Sequence, residues 1–260
     1  MNKKEFLNRI KYEDKVILSN IYDKILLREK TGKAVYVCEF YPPIVWKSLV
    51  NISEGLNCKI HTYGVFEESD RRLISILSKD ETDNINDYPV DLIKIKNKSN
   101  FVDLKHADFL GALMNQGIKR EKFGDLILED QNCYVPVCKD ISEFVKENLV
   151  RIGKNPCEIV SIDTKNTKVP TYKFEKRNIV VTSMRLDSVV ASICGISRNT
   201  SAEMIKKGLI LLDYEKALQK DTYVDVESII TARGYGKFKI HEHIGKTQKD
   251  REKIIIKKYI

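Results

Sequence analysis

The chain has 260 residues, a formal net charge of +8 at neutral pH and a hydrophobic fraction of 42%. That length allows two or three compact domains, each with its own core, and no apolar run approaches the ~20 residues needed to span a bilayer. The start, MNKKEFLNRIKYEDK, lacks the apolar stretch of a secretory signal, which predicts a cytoplasmic protein and makes the sequons at 51–53 and 199–201 chance matches.

Residues 3–30, rich in Leu, Ile and Lys, read as one or two helices. The run 34–40 is β-branched and aromatic and predicts a strand. Pro42 and Pro43 open a helix through about residue 51, proline being tolerated in a first helical turn. Segments 58–66 and 71–77 read as a β-hairpin around 67–70. Residues 1–78 therefore predict an N-terminal α+β domain, with no chemistry suggested by its side chains. The polar stretch 79–87, KDETDNIND, reads as a linker or long loop.

The next stretch predicts a strand at 92–96, a helix at 105–117, strands at 125–129 and 132–138, a helix at 142–149 and a strand at 157–162. That βαββαβ order is the ferredoxin-like plan shared by RRM-type RNA binders, here assigned to 88–165. Topology alone assigns no function. Tyr134 is the lone aromatic of the second hairpin strand, which gives little support to base stacking there. The cysteines at 38, 58, 133, 138, 157 and 194 are scattered singly. Cys133 and Cys138 lack the second pair or nearby His that a zinc set needs, so reduced thiols and no metal are expected.

The C-terminal third is more specific. Leu186, Val189, Val190 and Ile193 lie at i, i+3, i+4 and i+7, one apolar helix face that Gly195 terminates. Ser197 is placed to cap a second helix, which buries Ala202, Met204 and Ile205 and stops at Gly208. Arg185, Arg198, Lys206 and Lys207 stay off the apolar stripe, so replacing Arg185 and Arg198 is expected to leave the fold intact. Cations beside free helix N-terminal amides suit phosphate. Short β-type segments, an Arg233-Gly234 turn and a tail with 8 cations and 3 anions over 237–260 follow. In this order the elements resemble an S4-type RNA-binding domain over 183–260. Two turns depart from that module: Leu212-Asp213-Tyr214 replaces its Val-Asn-Gly, and Glu227-Ser228 its Gly-Asp.

The string HADFLGALMNQGIKREKFGD at 106–125, with GYGKFKI at 234–240 and GKT at 245–247, resembles the YlmH family of bacterial S4-domain proteins, and the match is collinear over nearly the whole chain. Ala107 departs from the arginine expected of many relatives. The resemblance implies an α+β protein of three small domains that acts on the large ribosomal subunit in quality control of stalled translation. It implies rRNA and peptidyl-site tRNA as partners, support for C-terminal alanine tailing, and chemistry carried by a separate tailing factor.

Three enzyme-like signals are weak. Arg185-Leu186-Asp187 resembles the catalytic triplet of pseudouridine synthases, but it opens the RNA-binding module itself, where capping or ion pairing suits Asp187 better. His243-Ile244-Gly245-Lys246 echoes a synthetase motif without its nucleotide-binding unit. Gly234-Tyr235-Gly236 lacks the third glycine and strand–turn–helix context of a dinucleotide loop. The reading is a non-enzymatic, monomeric, ribosome-associated RNA binder without cofactor, the alternative being an S4-domain RNA-modifying enzyme such as a pseudouridine synthase. The expected RNA contacts are Arg185, Ser197, Arg198, Asn199, Thr200, Lys206 and Lys207, extended by Arg233, Lys237 and Lys239. Lys119, Arg120 and Lys122 form a secondary set.

Overall fold

A computed structural model describes residues 1–99 and 102–260. The chain divides into two compact units, Met1–Thr171 and Tyr172–Ile260. No helix among the described residues is long and apolar enough to cross a membrane. Both units mix helices with antiparallel sheets, the α+β class expected.

In the first unit, α1 (Lys3–Arg9) and α2 (Lys15–Thr31) precede a short β1 (Val35–Tyr36), α3 (Pro43–Ile52), β2 (Lys59–Tyr63) and β3 (Leu73–Leu77). Asp14 caps α2 by accepting from Val16 N and Ile17 N, and Gly32 ends it in the left-handed region. Leu18, Ile21, Tyr22 and Ile25 form its buried stripe against β3 residues Ile74 and Ile76. The three strands order as β1-β3-β2. The strand expected over 34–40 is shorter, Val35–Tyr36: Val37 N still donates to Ile74 O at 2.9 Å, but the ladder is then interrupted at Phe40. Phe40 N donates to Glu121 O at 2.7 Å, and Phe40 O accepts from Arg71 Nη2 at 2.6 Å.

The same unit continues with β4 (Val90–Asn97), α4 (His106–Met114), β5 (Ile127–Glu129), β6 (Asn132–Cys138), α5 (Lys139–Asn148), β7 (Arg151–Ile152) and β8 (Asn155–Ile162). The sheet order β5-β6-β4-β8-β7 places the four main strands as the ferredoxin-like plan requires, with β7 added as an edge hairpin. Phe109 and Leu113 of α4 and Val145 of α5 pack on Ile93, Ile95, Val135 and Val137, so both helices cover one face.

Residues 1–78 and 88–165, read from the sequence as separate domains, fall in one compact unit. The loop at 79–87 is fastened: Asp83 accepts from Ser75 Oγ at 2.7 Å and from the Tyr88 hydroxyl. The main tie is Asp125, whose buried carboxylate accepts from Asp70 N at 2.6 Å and Arg71 N at 2.9 Å. Gly124 precedes it because a β-carbon there would lie 3.0 Å from both the Phe40 ring and Pro136.

The second unit contains β9 (Phe174–Val181), α6 (Leu186–Cys194), α7 (Arg198–Lys206), β10 (Ile210–Leu212), β11 (Glu215–Lys216), β12 (Ile229–Ala232), β13 (Gly236–Lys246) and β14 (Glu252–Tyr259). Its sheet runs β11-β10-β12-β13-β14-β9. Leu186, Val189 and Val190 of α6 and Ile205 of α7 pack on Ile230, Phe238, Ile240, Ile254 and Ile256. The expected boundary at 183 excludes β9, yet β9 pairs with β14 along its whole length, from Val181↔Glu252 to Phe174↔Tyr259. Asp213 and Tyr214 both adopt positive φ in the β10–β11 turn, the conformation that Asn-Gly would take more easily.

Asp125→Ala would leave two buried backbone donors without their carboxylate, a loss of roughly 2–4 kcal/mol. The single tryptophan, Trp46, reports this region directly, because its Nε1 donates to Asp70 O at 2.8 Å. The midpoint of urea unfolding followed by Trp46 fluorescence should fall clearly in the variant. An unmoved midpoint would show that Asp125 does not hold the two segments together.

Candidate nucleic-acid interface

Charge separates with the fold. Residues 172–260 hold 18 Lys+Arg against 11 Asp+Glu, whereas residues 1–171 hold 27 against 26. Nearly all of the excess positive charge therefore belongs to the second unit, the distribution a polyanion partner needs.

The two helices of that unit are joined at their N-termini by one carboxylate. Asp187, in the first turn of α6, has a side chain only 7% exposed. Its Oδ1 accepts from Arg185 Nε at 3.2 Å and from Ser188 N at 2.9 Å. Its Oδ2 accepts from Arg185 Nη2 at 3.4 Å and from Arg198 Nη2 at 2.8 Å. Ser201 Oγ of α7 donates to the Asp187 carbonyl at 2.9 Å. Burial pushes the Asp187 carboxyl up, but hydrogen bonds and charge from Arg185 and Arg198 outweigh it and hold its pKa below the ordinary value. The arginines remain 40% and 49% exposed, so each guanidinium keeps a solvent-facing part.

Ser197 caps α7 as the sequence predicts, its Oγ accepting from Thr200 N at 3.1 Å and lying 2.8 Å from Thr200 Oγ1. Arg198 and Asn199 occupy the first turn, where amides have no partner within the helix. Ser197, Arg198, Asn199 and Thr200 are all exposed. One surface thus combines two guanidinium groups, helix amides and hydroxyls, a chemistry suited to phosphate oxygens.

The other expected contacts do not continue this surface. Lys206 and Lys207 stand at the far end of α7, about 12 Å along the helix from Arg198. Arg233 is near that end, since its N donates to Leu209 O at 3.0 Å. Lys237 and Lys239 alternate with buried Phe238 and Ile240, so they project from the sheet face opposite the helices. Lys237 Nζ donates to the Tyr214 hydroxyl at 2.7 Å and sits 4.3 Å from the Tyr259 ring centroid. Lys239 is paired with Glu227 at 2.6 Å. That face also holds Lys176 and Lys257, in register with Lys239 across β14 and β9, beside the packed rings of Phe174 and Tyr259. Local sequence could not indicate this second patch, because it depends on the pairing of β9 with β14.

In the first unit, the helix-free face of the β4–β6–β8 sheet carries Lys94, Lys96 and Tyr134, with Lys94 Nζ 5.0 Å from the Tyr134 ring centroid. The secondary contacts fare differently. Lys119 is exposed. Arg120 donates to Phe123 O and Gly124 O within its own turn, and Lys122 bonds Cys38 O and Asp140. Those two cations hold the fold, so the 106–125 string is largely structural.

Residues 84–166 match the family model described as "Putative RNA-binding domain in YlmH". The chain is 29% identical over 192 residues to the ribosome-associated protein quality control protein P2 of Bacillus subtilis (strain 168), covering 74% of each chain. It is also similar to the solved structure of the cell division protein ylmH from Streptococcus pneumoniae, with TM-score 0.50 and 22% identity. That match covers 60% of this chain and 95% of the other, and it bears on the fold alone. The YlmH resemblance read from the sequence is borne out by these matches.

The arginines' tie to Asp187 gives them a share in stability that their position off the apolar stripe does not reveal. Arg185→Ala with Arg198→Ala strands a buried carboxylate and should cost roughly 1–3 kcal/mol, discounted for the arginines' exposure. Adding Asp187→Asn should recover part of that loss in thermal melts. Because the folded Asp187 pKa is depressed, its stabilising contribution is complete above the unfolded value of ~3.9 and is lost as pH falls through the folded value. Asp187→Asn should therefore flatten the acid limb of the stability profile below about pH 5. An acid limb identical to that of the parent protein would contradict this assignment.

Proposed function

We propose that this chain is a non-catalytic RNA-binding protein of the large ribosomal subunit, acting in quality control of stalled translation and gripping structured RNA through an S4-type C-terminal unit. The observation that carries the reading is the placement of Arg185 and Arg198 beside the capped N-terminus of α7, in the unit that holds almost all the excess positive charge. RNA binding and ribosome association are supported by the match to an RNA-binding family model and by the similarity to a ribosome-associated quality control protein. On this reading the partners are rRNA and peptidyl-site tRNA, the protein works as a monomer in the cytoplasm, and a separate tailing factor adds alanine to the nascent chain. The layout read from the sequence has three parts, the first two of which lie within one compact unit. Asp187 argues against the RNA-modifying alternative, since a nearly buried carboxylate taking hydrogen bonds from two arginines and an amide is poorly placed to attack a substrate.

One observation favours a second contact. The helix-free sheet face with Lys94, Lys96 and Tyr134 lies within residues 84–166, and one aromatic flanked by two cations suits a single unstacked base. That contact would supplement the C-terminal grip.

Residues 172–260, which include β9, should bind large subunits carrying peptidyl-tRNA at least tenfold more tightly than residues 1–171, about 1.4 kcal/mol. Affinity should fall steeply with added salt, because neutralised phosphates release counterions. Titrations of both fragments at several salt concentrations test the reading, and equal affinities would overturn it. A comparison of rRNA and tRNA modifications with and without the protein separates the enzyme alternative, which requires a missing modification.

A further inference from the structure

Cys38 and Cys138 are 100 residues apart in the chain, yet the fold brings them together within the first unit. Their sulfurs and one carboxylate oxygen of Asp140 all lie within 4.8 Å of one another. Cys38 follows β1 at the point where the chain leaves the three-stranded sheet, and Cys138 is the residue just before α5. Cys138 Sγ donates to the Cys38 carbonyl at 3.0 Å. Lys122 Nζ bridges the two segments, donating to the same carbonyl at 3.1 Å and to Asp140 Oδ2 at 2.5 Å. Cys38 is half-buried and reachable from solvent, whereas Cys138 is fully buried behind it.

We propose that Cys38 and Cys138 form a peroxide-reactive dithiol site, with Cys38 as the attacking thiol and Cys138 as its resolving partner. Reactive thiols sit within reach of solvent, near a cation and beside a second cysteine. Cys38 is half-buried beside Cys138 and the Lys122 ammonium, and its thiol also faces Pro89 O at 3.4 Å and Asp140 Oδ1 at 3.6 Å. Once Cys38 ionises, the Cys138 thiol, which otherwise donates to the Cys38 carbonyl, can donate to the Cys38 sulfur instead, joined by the Asp140 amide at the start of α5, with Lys122 nearby. These outweigh burial and the opposing Asp140 carboxylate, and lower the Cys38 pKa to about 7. The same hydrogen bond, together with burial, pushes the Cys138 thiol up, so Cys38 ionises first. Burial raises Cys157, and raises Cys194 to about 11, which leaves the other half-buried thiols protonated.

In the first step the Cys38 thiolate attacks one peroxide oxygen. An S–O bond forms, the O–O bond breaks, and the departing hydroxide takes a proton to become water. Cys38 is then a sulfenic acid. In the second step Cys138 sulfur attacks the Cys38 sulfur, the S–S bond forms and the S–O bond breaks. The Cys138 proton leaves with the hydroxyl as a second water. Two thiols are oxidised and one hydrogen peroxide is reduced. A metal is a poorer occupant of this site: only three ligand atoms converge, and the Lys122 ammonium already holds the Asp140 carboxylate.

The test exposes the intact protein to hydrogen peroxide at pH 7, alkylates the remaining thiols and maps the peptides by mass spectrometry. A Cys38–Cys138 linked peptide, reversed by a dithiol reductant, is expected. Cys38 should be consumed at least tenfold faster than Cys157 or Cys194, because thiolate fraction dominates the rate. Cys138→Ser should accumulate a Cys38 sulfenic acid that dimedone traps, and Cys38→Ser should leave Cys138 reduced. Oxidation of Cys157 or Cys194 ahead of any 38–138 link would overturn the proposal. So would near-stoichiometric zinc in the protein as purified, protecting both thiols from alkylation. The site lies wholly in the first unit, so its failure would not bear on the RNA-binding reading.

Discussion

The C-terminal unit is organised around a carboxylate that cannot remain buried unless both arginines attend it. Asp187 lies under the junction of α6 and α7, where an unpaired charge would be costly. Arg185 arrives from before α6 and Arg198 from the first turn of α7, and their bonds to Asp187 fix both guanidinium groups beside the N-terminus of α7. The same contact that joins two short helices therefore sets the spacing of two cations on the surface. Arginine suits this double duty better than lysine, because its planar fork can hold a carboxylate with one edge and meet a phosphate with another. On the proposed function, stability and recognition share these residues, so loss of binding in a variant can be interpreted only beside its melting behaviour.

The first unit carries almost no net charge. Its most family-like string, residues 106–125, builds α4, a tight turn and the Gly124-Asp125 tie to Asp70 and Arg71. A motif can thus be specific to a family because of backbone geometry rather than ligand contact. What remains open to solvent there is the half-buried, helix-free sheet face around Tyr134 and, at the turn, the exposed Lys119.

Local features were legible in the sequence and long-range ones were not. The apolar spacing of α6, the Ser197 cap and the glycine stops at Gly195 and Gly208 all depend on a few neighbouring residues, and each is found where expected. The strand read over 34–40 was shortened by hydrogen bonds from Phe40 to residues far along the chain, which no local pattern reveals. Lys237 and Lys239 were grouped with the helical cations by proximity in sequence, but strand alternation sends them to the opposite face. The Cys38–Cys138 pair was invisible for the same reason, because two single cysteines meet only once the unit has folded. Asp187 was read as ion-paired, but its two arginine partners emerged only from the packing of α7 on α6.

The central claim is that the surface formed by Arg185 and the start of α7 holds the RNA. Ultraviolet crosslinking of the intact protein to large subunits carrying peptidyl-tRNA, followed by mass spectrometry of the nucleotide-bearing peptides, tests it most directly. The account predicts that most crosslinked peptides fall within residues 183–207, with a minority around Tyr134. Crosslinks concentrated in residues 84–166 and absent from the α6–α7 surface would contradict it.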